Sequence, residues 1–184
     1  ENGSITSPED FQAAGMHAGV KLDSSIKDLA LVYSASPATA AAVYTKNLVQ
    51  AAPIHVDREH LQDGVARAVI LNSGNANACT GRRGRDDAES MCAHTASALC
   101  LEADQVLVCS TGVIGVPLPI AAIEAGIPKV AAALSEKGGI DAAEAIMTTD
   151  TRPKTATATF QAQGQTLTVC GMAKGAGMIA PNMA

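Results

Sequence analysis

Two periodicities alternate along this chain. Short unbroken apolar runs at 28–33 and 40–45 predict strands, with a turn at 34–37 between them. The runs at 66–71, which carries an arginine, and at 106–109 predict buried strands. Asp57 predicts the cap of a short helix through Gln62, stopped by Gly64. The clearest helix places Ala88, Met91, Cys92, Thr95, Ala96, Leu99 and Cys100 on one face, with Asp86 and Asp87 at its start. A helix over 119–134 is expected to be interrupted at Pro128, and Asp141 to cap another through Met147. The last third changes period. Thr155, Thr157 and Thr159 alternate with Ala156, Ala158 and Phe160 as in a half-buried strand, and Gln163-Gly164 offers a hairpin turn into 166–170. Strands with helices between them, closed by a hairpin, predict an α/β or mixed α+β layered fold, with 1–184 as a single domain.

Composition narrows this picture. Hydrophobic residues are 47% of the 184, but aromatics are only 2% and there is no Trp. Ala, Val, Leu, Ile and Met bury less area each, so the core is thin for the length and needs close backbone packing or a partner subunit. Lys and Arg total 13 against 18 Asp and Glu, a net charge of -5. That balance argues against a nucleic-acid partner. No apolar run is long enough to cross a bilayer and no signal peptide is seen, so no membrane is expected. Five cysteines without paired spacing suggest reduced thiols and a cytoplasmic protein. The sequon Asn2-Gly3-Ser4 carries little weight without a secretory signal.

Common cofactor and metal signatures are missing. There is no phosphate-binding P-loop, no dinucleotide glycine fingerprint, no Cys-x-x-Cys pair and no zincin helix, and no metal is expected. His17, His55, His60 and His94 are scattered, and His94 falls on the polar face of its helix, where a solvated role is the simplest reading. The run 72–81 is rich in Asn, Ser and Gly between a strand and a helix. It could line a polar pocket, but spacing alone favours a loop that satisfies its own backbone. In Ser110-Thr111-Gly112, a hydroxyl beside a glycine N–H could hold an oxyanion, or simply turn the chain; spacing leaves both open. The polar groups of 147–151 suit either a site or a helix-ending loop. Lys174, in a glycine-rich stretch, suits a substrate carboxylate or plain solvation. The chain begins at Glu1 rather than Met and stops at Ala184 just after glycines and apolar residues, as if cut in mid-structure.

Four segments in order resemble the ornithine acetyltransferase family, also called the bifunctional glutamate N-acetyltransferase family. They are 71–81 (LNSGNANACTG), 109–115 (CSTGVIG), 146–150 (IMTTD) and 171–184 (GMAKGAGMIAPNMA). The resemblance runs over nearly the whole chain. It implies a sandwich like that of N-terminal-nucleophile enzymes, completed by a second chain. It implies a precursor that cuts itself after an Ala matching Ala184, so that this sequence corresponds to the α chain and a β chain begins with the nucleophilic Thr. It implies acetyl transfer from N2-acetyl-L-ornithine to L-glutamate by a ping-pong route through an acetyl-threonine, in arginine biosynthesis, within an α2β2 heterotetramer. Thr111 and Gly112 match the family's oxyanion donors, and Thr148 and Lys174 its substrate contacts. No cofactor is implied, although some members also use acetyl-CoA as a substrate.

Two other readings compete. A related self-cleaving amidohydrolase or aminopeptidase subunit would pass the acyl group to water instead of an amine. A non-catalytic small-ligand-binding protein would use the Asn-rich loop and be a stable monomer with no partner fragment.

Overall fold

The computed structural model describes residues 3–177 and 182–184. Its main sheet has the order β1 (Phe11–Met16), β2 (Leu29–Thr39), β3 (Val65–Asn75) and β4 (Val106–Val113). β1 with β2 and β2 with β3 are antiparallel, while β3 and β4 are parallel. A parallel pair needs a crossover, supplied here by helix α2 (Gly81–Leu99). α1 (Ala52–His60) precedes β3; α3 (Ile120–Ala132) and α4 (Gly139–Ala145) follow β4. β5 (Lys154–Ala162) and β6 (Gln165–Ala173) form a separate two-stranded sheet.

β2 shows why its apolar run is continuous. Leu29 and Leu31 join Ile70, Met91, Val106, Ile123 and Ile127 in the larger core. Ala30 and Val32 instead join Ala13, Ala142, Ala145 and Ile146. Both faces of the strand are therefore covered. The thin second face is made close by small residues. A Cβ on Gly15 would lie 2.0 Å from the Asp141 carbonyl oxygen, and one on Gly138 would lie 1.8 Å from that of Ala13. Close backbone packing is thus one way in which a chain poor in aromatics fills its interior.

Several boundaries differ from those the sequence predicts. Residues 34–37 do not turn the chain. β2 continues through a register shift between Tyr33 and Ala38. Arg67 holds this bulge: its guanidinium donates to the carbonyls of Ser34 and Ala35 and to the Tyr33 hydroxyl. No strand covers 40–45, where only Thr45 forms an isolated bridge, to Met183. α1 starts at Ala52 with a proline in its first positions, where the missing N–H costs nothing. α2 starts at Gly81, ahead of Asp86, because Asn77 donates to the Gly84 carbonyl and accepts from the Thr80 hydroxyl. Its predicted buried face is otherwise observed, except that Cys100 is exposed at the C-cap. α3 runs unbroken through Pro128, whose ring lies on the solvent side. Asp141 sits in the first turn of α4, not at its cap, and accepts from Lys27 Nζ at 2.5 Å. Gln163 and Gly164, both with positive φ, make the expected hairpin turn. The hairpin is nevertheless exposed on both faces rather than half-buried, with Phe160, Leu167 and Val169 in the open.

Asp57 is not a cap either. It lies inside α1, buried, and accepts from the Val108 N–H at 2.8 Å, tying α1 to β4. Burial pushes its carboxyl up to about 6, against the Val108 hydrogen bond and nearby His60. A folded-state value above the unfolded 3.8 means that Asp57's contribution is largest below pH 4 and is lost as pH rises through about 6. Asp57→Asn keeps the acceptor and removes the charge. In the full-length protein it is expected to gain roughly 1–3 kcal/mol at pH 8 and little at pH 4, read as melting midpoints. A lower midpoint at pH 8 would show instead that the carboxylate charge stabilises the fold.

Candidate functional site

The parallel strands β3 and β4 end side by side, and loops beyond the carboxyl ends of such strands are where sites are built. Ser73 pairs with Thr111 and Gly74 with Gly112, after which the register shifts at Asn75. Gly112 has φ +136 and Gly74 φ +108, backbone that other residues rarely adopt. The approach at Gly112 is tight. A Cβ there would lie 2.3 Å from the Gly74 carbonyl carbon and 2.5 Å from the Asn75 nitrogen.

The Asn-rich segment is a support, and its amides are turned inward. Asn72 Nδ2 donates to the Asn75 carbonyl, and Asn75 Oδ1 accepts from the Asn77 N–H. Asn75 Nδ2 donates to the carbonyls of Val116 and Pro117, and Ser73 Oγ to that of Ala145. Ser110 Oγ donates to Asn72 Oδ1 at 2.6 Å, extending the network to β4. Asn72, Ser73, Asn75 and Asn77 are all buried. A buried polar network of this kind fixes the strand ends rigidly. It leaves the Asn amides spent within the protein, contrary to a ligand site built on them.

A cavity of about 730 Å³ opens at these strand ends. Thr111, Gly112, Thr148 and Lys174 all line it, with Gly74 and Lys21. All four residues singled out in the sequence therefore share one space, although they come from three distant segments. Lys174 Nζ donates to Thr111 Oγ1 at 2.8 Å. Thr149 lines the cavity beside Thr148. The part of the last motif at 178–181, and Asn2 of the sequon, lie outside the described residues.

Lys21 is the residue that sequence reasoning missed, and Asp150 figures there only among the polar groups of 147–151, without a role of its own. Lys21 Nζ donates to the carbonyls of Met147 at 2.7 Å and Lys27 at 2.9 Å, anchoring the segment that carries Thr148. Burial lowers its pKa, while Asp28 opposes the shift. Asp28 is itself buried, and its carboxylate accepts the backbone N–H groups of Ala18, Gly19, Val20 and Lys21. That wrap shapes the loop from which Lys21 reaches the cavity. Asp150 accepts the N–H groups of Thr148 and Gly175 and pairs with Lys154. Nothing local in the sequence marks Lys21. Asp150 lies within the IMTTD segment, but its partners are visible only in three dimensions.

With Asp150 paired to Lys154, the cavity presents two lysine amines and suits carboxylate-bearing ligands. The histidines lie elsewhere. His60 Nδ1 is 2.8 Å from the Val106 carbonyl, and His94 is exposed beside Ser90. All five cysteines are free. Among the described residues, no three His, Cys, Asp or Glu side chains form a metal-binding group, and no helix is long and apolar enough to cross a membrane.

Comparison with known proteins extends this geometry. The chain is 52% identical over 183 residues to the arginine biosynthesis bifunctional protein ArgJ of Caldanaerobacter subterraneus, covering 100% of this chain and 45% of that protein. It is 53% identical to the Symbiobacterium thermophilum protein of the same name, covering 99% of this chain and 46% of that one. The chain thus spans a little under half the length of these curated relatives. Its backbone matches the crystal structure of ArgJ from Bacillus halodurans with a TM-score of 0.93 at 47% identity, covering 99% of this chain and 95% of that chain. It matches the ornithine acetyltransferase of Mycobacterium tuberculosis, crystallised with ornithine, with a TM-score of 0.91 at 44% identity, covering 99% and 96%. In those crystals a polypeptide of about this extent is a separate chain, as in a processed subunit. The mixed α/β fold is therefore that of ornithine acetyltransferase. The ArgJ family model matches residues 12–184, with every residue that lines the cavity inside the match, and the chain belongs to the ArgJ family.

Proposed function

We propose that the chain is the α subunit of an acetyltransferase of arginine biosynthesis, with 1–184 acting as one unit and the cavity at Thr111 its share of the active site. The acetyl group moves from N2-acetyl-L-ornithine to L-glutamate, and a β chain of the same precursor supplies the nucleophilic threonine. The observation that carries this reading is the 2.8 Å hydrogen bond from Lys174 Nζ to Thr111 Oγ1, beside Gly112 in one cavity. Lys174 occupies a lone pair of Thr111 Oγ1, so the hydroxyl proton is left to point elsewhere. That proton and the Gly112 N–H make two donors for the oxygen of a tetrahedral intermediate.

The chemistry balances in two half-reactions. The β-chain threonine hydroxyl attacks the acetyl carbonyl carbon, with its own α-amine as base; such an amine titrates near 7.7–8.0. The C–N bond then breaks, ornithine leaves with the proton, and the acetyl group stays as an ester. The glutamate amine attacks that ester and releases the threonine. Thr148 and Lys174 hold the substrates, whose carboxylates suit the lysine-lined cavity. No cofactor takes part. The assembly is an α2β2 heterotetramer in the cytoplasm, without nucleic acid or membrane.

The test is expression from the full reading frame. Intact mass and N-terminal sequencing are expected to find two associated fragments, one ending at Ala184 and the other beginning with Thr. That preparation is expected to transfer acetyl from acetylornithine to glutamate. A single uncut chain without transfer would refute the proposal. Transfer to water but not to amines would favour the amidohydrolase reading.

A further inference from the structure

The carboxylate of Asp150 joins two segments that would otherwise be independent walls of the cavity. It accepts the Gly175 N–H at 2.7 Å on one oxygen and the Thr148 N–H at 3.3 Å on the other. Lys154 Nζ closes the arrangement on the oxygen shared with Gly175. The Asp150 side chain is itself 0% exposed, while its backbone contacts are half-buried and its Lys154 partner reaches the surface. Gly175 follows Lys174, and Thr148 is two residues before Asp150. One carboxylate thereby sets the backbone beneath two residues that line the cavity with Gly112.

The placement fits Lys174 in particular. A lysine carries four flexible methylenes, and a hydrogen bond to Thr111 orders it only if its backbone is already in place. The Gly175 N–H bond fixes that backbone one residue from Lys174. At the other segment, Thr148 is bracketed: Lys21 holds the carbonyl of Met147, and Asp150 holds the N–H of Thr148. The hydrogen bonds from Lys154 and Gly175 keep the carboxylate ionised, its pKa well below the usual carboxylate range.

We infer that Asp150 is a positioning residue for acetyl transfer, acting through the backbone of Gly175 and Thr148 to aim Lys174 and Thr148 into the cavity. This rests on the proposed function of the cavity. Asp150 does not line the cavity, and it performs no proton transfer. Lys154 neutralises the carboxylate but is not needed for its backbone contacts.

The full-length protein tests this with a double-mutant cycle on acetyl transfer from acetylornithine to glutamate. Asp150→Asn is expected to lower kcat/KM at least tenfold, and Lys174→Ala by at least as much. The double variant is expected to lose clearly less than the product of the two single losses, since Lys174 is one of the two side chains the clamp aims and only the part acting through Thr148 remains. Lys154→Met is expected within about threefold of the parent. Losses that multiply in the double variant would overturn the inference, as would an Asp150→Asn enzyme with parental kcat and KM. If Asp150→Asn does not fold, Asp150→Glu, which keeps the charge but shifts the carboxylate by a methylene, takes its place in the same cycle. Hydrogen exchange of peptides covering 147–150 and 173–177 separates this inference from the function proposal. Faster exchange of both in Asp150→Asn, with the rest of the chain unchanged, supports the clamp, and unchanged exchange of both refutes it, whatever the activity. A parent protein that transfers no acetyl group refutes the function proposal alone.

Discussion

Replacing Gly112 with alanine is expected to lower acetyl transfer by about a hundredfold or more and to weaken the fold. Two costs coincide at this position. Its φ of +136 is strained for any residue with a Cβ, at roughly 1–3 kcal/mol. The new methyl would also sit 2.3 Å from the Gly74 carbonyl carbon, 2.5 Å from the Asn75 nitrogen and 2.6 Å from the Gly74 oxygen. These are backbone atoms of the neighbouring strand, and they cannot rotate away as a flexible side chain could. β3 and β4 must separate at their ends, at a further cost of about 1–3 kcal/mol. Separation moves the Gly112 N–H, and a displacement of about 1 Å in a catalytic group can cost about a hundredfold in rate. Melting and turnover of the full-length protein check both effects. An alanine variant with parental stability would mean that the strands part easily here, and parental turnover would remove the Gly112 N–H from the site.

Thr111→Ala removes the hydroxyl together with the γ-methyl and adds no atom to the packing, so it tests the chemistry without the backbone clash expected at Gly112. On the proposed function it deletes one oxyanion donor, a loss of about 10²–10³-fold in kcat. Self-cleavage passes through an oxyanion too, so slower appearance of the two fragments is expected. Stability is expected to change little, because Thr111 is only partly buried and its side chain meets the flexible Lys174. Thr111→Ser keeps the hydroxyl and is expected to recover most of the rate. The pair of variants separates two roles. If alanine and serine lose equally, the methyl group matters and the hydroxyl does not. If neither loses, Thr111 is no donor, and its hydrogen bond with Lys174 is only structural.

Much of the fold is legible in the chain, and its errors share a cause. The buried face of α2, the strands at 66–71 and 106–109, and the Gln163-Gly164 turn follow from local periodicity and turn chemistry. The end of β2 does not, because the bulge at 34–37 is held by Arg67, more than 30 residues away. Asp57 has the residue type of a cap but is used across the fold by Val108. β1, Phe11–Met16, gives no distinct signal: it is short, and Gly15 sits where a side chain would collide with Asp141.

The candidate site divides along the same line. The sequence by itself singled out the residues proposed for the chemistry, since the motifs holding Thr111, Gly112, Thr148 and Lys174 are contiguous strings with the family's order. It also determined the strand-then-glycine local structure around Thr111, because backbone preferences act over a few residues. Only the tertiary structure decided that Lys174 Nζ meets Thr111 Oγ1 across 63 residues, and that Lys21 grips Met147 across 126. Those contacts depend on sheet order and on the packing of α4 against β1. Such long-range pairings leave no local periodicity, because the residues that make them are neighbours only after the backbone has folded.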